Sequence, residues 1–149
     1  MYIVHLNKEV LLGAVLTLAA IAAVIFGNVI VDDSKAVATS AGSVISLKLK
    51  NEKDRQNFLS AIGYADMGEP KEITEVLIPF DFDKVYLSYN ELQNKSGLDL
   101  KKYRGKTVKK YLYQNKTASV TLLIHKDRLV GGDVTPIGEG SVSSPLFEK

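Results

Sequence analysis

The chain contains no cysteine and no tryptophan. The missing thiols exclude disulfides, a thiol nucleophile, thiolate metal ligands and the lipid-modified cysteine of a lipoprotein anchor. Histidine is almost as scarce: there are two in 149 residues, and only His125 lies past the first few positions. A metal site needs several converging His, Cys or carboxylate ligands, and a serine-type triad needs a histidine beside a nucleophile and an acid. Neither spacing occurs, so no metal or cofactor is implied. The formal net charge of +2 does not suit a nucleic-acid binder, and any attraction for a polyanion has to come from local clustering. No internal repeat is visible.

A long uncharged run is present near the start. Val10 to Val31 carries no charged side chain, and 22 residues at about 1.5 Å each make roughly 33 Å of helix, enough to cross a bilayer core of about 30 Å. The run exceeds the roughly 7–15 apolar residues of a cleavable signal, so residues 10–31 are expected to form a retained single-pass anchor. Ala36-Val37-Ala38 has the small-x-small form of a cleavage site and leaves processing near Ala38 open. Lys8 precedes the run, and Asp32 and Asp33 follow it. Positive-inside reasoning therefore puts the N-terminal tail, residues 1–9, in the cytoplasm and the rest outside the cell membrane.

Beyond the anchor, residues 32–50 read as a spacer. Its first part, DDSKAVATSAGS, is small and polar; its last part, VISLKLK, alternates Ile45, Leu47 and Leu49 with polar residues and suits a short edge strand or an arm lying on the domain. A domain is expected over 51–135. Asn51 can cap a helix that carries Phe58, Leu59 and Ile62 on one side and stops at Gly63. EITEVLI, residues 72–78, reads as a strand ended by Pro79. A second helix has Asp81 or Asp83 as its cap, Phe82, Val85, Tyr86, Tyr89 and Leu92 at helical spacing, and Gly97 as its stop. Three strands follow at 106–114, 119–125 and 128–134, the last two joined by Lys126-Asp127 as a tight hairpin. The order α-β-α-β-β-β implies an α+β domain with both helices on one face of a mainly antiparallel sheet. Residues 136–149 read as an irregular C-terminal tail.

The stretch KKYRGKTVKK holds six basic residues and no acid. It ends like a nucleotide loop, but the first glycine of G-x-x-x-x-G-K-[ST] is replaced by Leu100, and a strand rather than a helix follows Thr107. Gly105 is therefore expected to make the turn into that strand. Lys101, Lys102, Arg104, Lys109 and Lys110 are the candidate binding residues, as a surface for anionic polymer or headgroups; the alternative is a set of solvated lysines on a sheet face or edge. Asp81-Phe82-Asp83 sits where a helix needs a cap, which outweighs a metal pair. Gly131-Gly132-Asp133 is similar to the turn motif of cyclic-dinucleotide synthases, but Val134 stands where those need an acid, so the glycines read as a bulge or close approach. His125, at a hairpin end, is expected to be solvated.

Residues 50–134 closely resemble a family of uncharacterised clostridial and related Gram-positive proteins, a domain of unknown function. The likeness rests on Ile78-Pro79, Phe82, Val85-Tyr86, Tyr89-Asn90, Leu92-Gln93, Gly97, Asp99-Leu100, Tyr103, Gly105-Lys106, Val108-Lys109, Arg128 and Gly131-Gly132-Asp133-Val134. Lys126-Asp127 departs from it, standing where the family often has a glycine, and the tail after Val134 does not match. The resemblance implies a membrane-anchored architecture and supplies no catalytic residues. The expectation is a non-catalytic, extracytoplasmic binding domain whose partner is an anionic envelope polymer or an envelope protein. Two alternatives stand beside it: a small hydrolase using His125 and Asp133 as acid and base, and a peptide-type inhibitor of an envelope protease.

Overall fold

A computed structural model of the chain describes residues 37–38 and 44–148. The expected membrane segment at 10–31, the tail before it and most of 32–43 lie outside the described residues. Among those described, no helix is long and apolar enough to cross a membrane. The elements are β1 (Val37–Ala38) and β2 (Val44–Ile45), which pair antiparallel, then α1 (Glu52–Ala61), β3 (Glu72–Leu77), α2 (Lys84–Lys95), a 3₁₀ turn (Leu100–Tyr103), β4 (Thr107–Gln114), β5 (Ala118–His125) and β6 (Arg128–Pro136). An α+β fold with two helices and a four-stranded antiparallel sheet is thus present, in the order β3-β4-β5-β6.

Both helices start where a side chain can satisfy their free amides. The Asn51 carboxamide accepts the Asp54 N–H at 2.9 Å, and the Asp83 carboxylate accepts the Tyr86 N–H at 2.8 Å, each removing one orphan donor from a first turn. They end beside Gly63 and Gly97, which adopt the positive φ that follows a helix terminus.

The helices lie on opposite faces of the sheet, not on one face as the element order suggested. Along β5, Val120, Leu122 and Ile124 join Phe58 and Leu59 of α1, while Leu123 on the other face joins Val108, Val130 and the aromatic rings of Tyr86 and Tyr89 from α2. Period-two alternation sends neighbouring residues to opposite faces. A strand apolar at consecutive positions therefore needs a cover on each side, and one helical layer would leave Leu123 and Val130 in water.

Segments flanking the regular elements fill the same core. Ile45, Leu47 and Leu49 are buried and run beside β6: Leu129 N–H donates to the Leu47 carbonyl and Leu49 N–H to the Asp127 carbonyl. The VISLKLK run is therefore an arm laid along the sheet edge. Near the C-terminus, Leu146 and Phe147 are buried against the α1 face. Phe147 is tied to the end of α2, where the Ser96 hydroxyl donates to its carbonyl at 2.6 Å.

One charged group is enclosed beneath α1. Arg55 donates to the Glu52 carboxylate at 2.8 Å and to the Tyr113 hydroxyl at 2.9 Å, and its guanidinium stands 4.2 Å from the Tyr111 ring centre. Partial burial alone would raise the Glu52 pKa, but hydrogen bonds from Gln56, Arg55 and Tyr113 with the Arg55 charge hold it below its ordinary value. Burial pushes the Tyr113 hydroxyl up, so it stays protonated and donates.

The last hairpin turns at Lys126 and Asp127 with φ of 46° and 65°, the two left-handed residues of a type I′ turn. At Gly132, φ is 155° and a Cβ would collide with the Thr121 carbonyl oxygen across the ladder; at Gly131 a Cβ would press on Leu100 and Gln93. The paired glycines are thus a place of close approach.

Three outcomes follow. Gly132→Ala is expected to cost more than about 3 kcal/mol because backbone has to move, whereas Asp127→Gly relieves the turn and gains about 1 kcal/mol; thermal melting of the full chain reads both. A carboxylate with a lowered folded-state pKa stabilises above its unfolded pKa and loses that contribution as pH falls through the folded value. Glu52→Gln should therefore be less stable than the parent at pH 7 and decline less steeply below about pH 4.5, as measured by melts across pH.

Candidate interaction surface

A four-stranded sheet has two edges, and this chain treats them differently. The outer edge of β6 is covered by the chain itself, through the Lys48–Arg128 bridge at one end and the Val134–Ser144 bridge at the other. Nothing among the described residues pairs with the outer side of β3.

The direction of the β3 amides follows from the start of β4. Gly105 N–H donates to the Ile78 carbonyl at 2.8 Å and Ile78 N–H donates to the Lys106 carbonyl at 2.9 Å, with Gly105 at φ 68°. This is a G1 bulge, so Gly105-Lys106-Thr107 is a bulge and not a phosphate loop. Since Ile78 points its backbone groups at β4, alternation along an antiparallel ladder makes Val76 and Thr74 do the same. The N–H and C=O groups of Ile73, Glu75 and Leu77 then face the open edge.

The side chains of those three residues share the α1 face, opposite Tyr111, Lys109 and Thr107 of β4. The packing of α1 is against β4, β5 and β6, and Ile73 and Leu77 remain 56% and 62% exposed. Just past the strand, Phe80 is 74% exposed with its ring against the backbone of Gly105. An open edge and two exposed aliphatic side chains thus share one face of β3. Glu72 and Glu75 interrupt it with charge, the usual guard on a free edge; the Glu72 carboxylate lies 3.5 Å from Lys110.

The five basic candidates are dispersed. Lys101, Lys102 and Arg104 are exposed on the 3₁₀ turn and its end, and the Arg104 guanidinium stands 5.0 Å from the Phe82 ring centre. Lys109 and Lys110 are consecutive on β4, so they project to opposite faces, each opposite a β3 position, Glu75 and Thr74 respectively. Moreover, β4 is an inner strand, so these lysines do not blunt an edge.

His125 and Asp133 are not brought together. Both lie on the α2 face, but His125 opposes Arg128 and Asp133 opposes Thr121, four positions or roughly 13 Å along the strand. His125 is half-buried instead of solvated: its Nδ1 is 3.0 Å from the Thr107 carbonyl, which requires the proton on Nδ1, and its ring meets Tyr103 edge-on. It lines a cleft of about 360 Å³ with Glu75, Lys109, Lys126 and Asp127. Asp133 instead accepts from the Tyr89 hydroxyl at 2.9 Å; burial, with the Asp133 charge adding to it, pushes the Tyr89 pKa up. Next to it, Gln93 accepts the Gly132 N–H at 2.8 Å. Among the described residues no three His, Asp or Glu side chains are grouped to hold a metal ion.

The family described as Domain of unknown function (DUF4830) matches residues 58–134, more than half of the chain. The chain belongs to this family. The DUF4830 match runs from within α1 into β6 and includes β3 and the bulge at Gly105; the arm at 45–49 and the tail residues Leu146 and Phe147 lie outside it. No curated protein and no solved structure matches the chain. Sequence reasoning passed over Ile73, Leu77 and Phe80. The available signal was EITEVL, a β-branched run with acids on both faces, the composition of a strand left at an edge.

The direction of the amides yields a stability test. Proline is tolerated in a strand where the N–H points to solvent. Glu75→Pro is expected to cost about 1 kcal/mol, whereas Val76→Pro removes a ladder bond and costs about 3 kcal/mol or more. Urea unfolding of the two variants distinguishes them, and equal losses would refute the assigned amide directions.

Proposed function

We propose that the chain is a membrane-anchored, extracytoplasmic, non-catalytic interaction domain that engages a protein partner by adding an extended strand to the open edge of β3. The observation that carries this reading is the β3 edge, unpaired among the described residues, with exposed Ile73 and Leu77 along it. Main-chain hydrogen bonds to Ile73, Glu75 and Leu77 supply affinity in such an arrangement, and alternate side chains supply selectivity. The anchoring part of the reading rests on the uncharged run at 10–31 and on the charges that flank it.

Anionic envelope polymer is a second reading, favoured by the three exposed charges of one turn, Lys101, Lys102 and Arg104. Lys109 and Lys110 fit it poorly, given their opposed directions and acidic neighbours. The enzyme alternative has no supporting geometry in the separated His125 and Asp133, and nothing in the terminal hairpin favours protease inhibition.

A photo-crosslinking residue placed at Ile73 or Leu77 of the full chain in intact cells tests the proposal. Adducts to a polypeptide at both positions, abolished by Glu75→Pro, are expected. Adducts no more abundant than from a probe at Lys116, on the far hairpin, would overturn it; salt-sensitive cosedimentation with anionic polymer, lost on charge reversal at Lys101, Lys102 and Arg104, would favour the second reading.

A further inference from the structure

We infer that the strand received by β3 is the β3 of a second copy of this chain, paired antiparallel about a two-fold axis through Glu75. The inference rests on the edge reading above and adds the identity and register of the occupant.

Two parities restrict such a pairing. Directly opposed residues have to share a sheet face, and amides that face the open edge have to meet amides that do the same. Ile73, Glu75 and Leu77 satisfy both. The register centred on Glu75 sets it against itself and Ile73 against Leu77 of the second copy, twice over, and leaves Glu72 opposite Ile78. It is bounded by Pro79, which lacks an N–H and would oppose Lys71.

The side chains of β3 are matched to this symmetry. About Glu75 the strand reads Ile-Thr-Glu-Val-Leu, with two similar aliphatic residues at the outer positions and the near-isosteric Thr74 and Val76 between. A strand built for an unrelated partner needs no such palindrome. In the two-fold register the exposed side chains of Ile73 and Leu77 cover one another across the new ladder on the α1 face.

The charges are compensated as well. Two glutamates opposed in a hydrogen-bonded pair, with Cα atoms about 5.5 Å apart, repel. Each Glu75, however, has Lys109 opposite it on β4, on the same face. Across four strands the row becomes Lys109, Glu75, Glu75, Lys109, neutral in sum with opposite charges adjacent at both ends. The two sheets merge into one of eight strands whose outer edges are the covered β6 strands, so the assembly closes as a dimer and does not propagate. A strand pair of this length buries less than the roughly 1,200 Å² of a stable interface, so it forms where copies are concentrated on one membrane.

The cysteine-free chain permits a direct test in native membranes. Opposed residues in the proposed register lie within disulfide range. A mixture of Ile73→Cys and Leu77→Cys chains is expected to form a disulfide-linked dimer on mild oxidation, and Glu75→Cys to link to itself; Ile73→Cys alone, whose copies sit about 13 Å apart in this register, should link poorly. Adding Glu75→Lys to the mixture creates a row of four cations and should cut the linked dimer about tenfold, and adding Lys109→Glu as well should restore it by inverting every charge in the row. A 73–77 yield no higher than from Lys116→Cys, or no restoration by the charge swap, overturns the dimer. If photo-adducts at Ile73 then contain a different polypeptide, the edge reading stands and the self-pairing is refuted; if there are no adducts at all, both fall.

Discussion

Burial of the sheet on both faces is the constraint from which the rest of the domain follows. β5 places Val120, Leu122 and Ile124 on one side and Leu123 on the other, and β6 adds Leu129 and Val134 against Val130. Each face needs its own helix, so α1 and α2 have to be delivered to opposite sides before β4 begins, and β3 lies between them in the chain. With β4, β5 and β6 joined in sequence by hairpins, β3 can enter the sheet only at an edge; it takes the one beside β4, while the arm at 45–49 takes the one beside β6.

The approach of α2 is as tight as the opposite side allows. Gly131 removes a side chain where Gln93 and Leu100 come closest, and Gly132 removes one on the other face, where Leu146 and the Thr121 carbonyl lie; Gln93 accepts the Gly132 N–H. Tyr89 to Asp133 and Asn90 to the amide of Leu100 complete a row of polar contacts along one side of the helix. Asp133, next to two glycines and suggestive of a catalytic motif, is thus committed to a packing contact. The same holds beneath α1, where Arg55, Glu52 and Tyr113 satisfy one another and an isolated buried charge is avoided.

The two edges of the sheet have opposite fates. The arm at 45–49 and the return at Ser144 shield β6, each with apolar side chains that enter the core, so removing them would expose both backbone and Leu47, Leu49 or Leu146. Among the described residues β3 receives no such cover, and its protection there is limited to Glu72, Glu75 and the terminating Pro79. An edge blunted by two acids yet carrying exposed isoleucine and leucine is poorly suited to solvent and well suited to pairing with another strand.

Much of this was readable along the chain. Asn51, Asp83, Gly63 and Gly97 punctuate the helices through local hydrogen bonds and backbone sterics, and Lys126-Asp127 marks the hairpin by its length alone; such signals act over a few residues and need no tertiary context. The five basic residues at 101–110 looked like one patch because they are close in sequence, but strand alternation sends Lys109 and Lys110 apart. His125 looked free because its partner, the Thr107 carbonyl, is 18 residues away. By itself the amino-acid order determined the two helices with their start and stop residues and the four strands of the sheet, since these depend on neighbours in the chain. Tertiary structure alone decided which face each helix covers, that Arg55 and Asp133 are spoken for, and that β3 is the edge left open, because each of these depends on contacts between residues tens of positions apart.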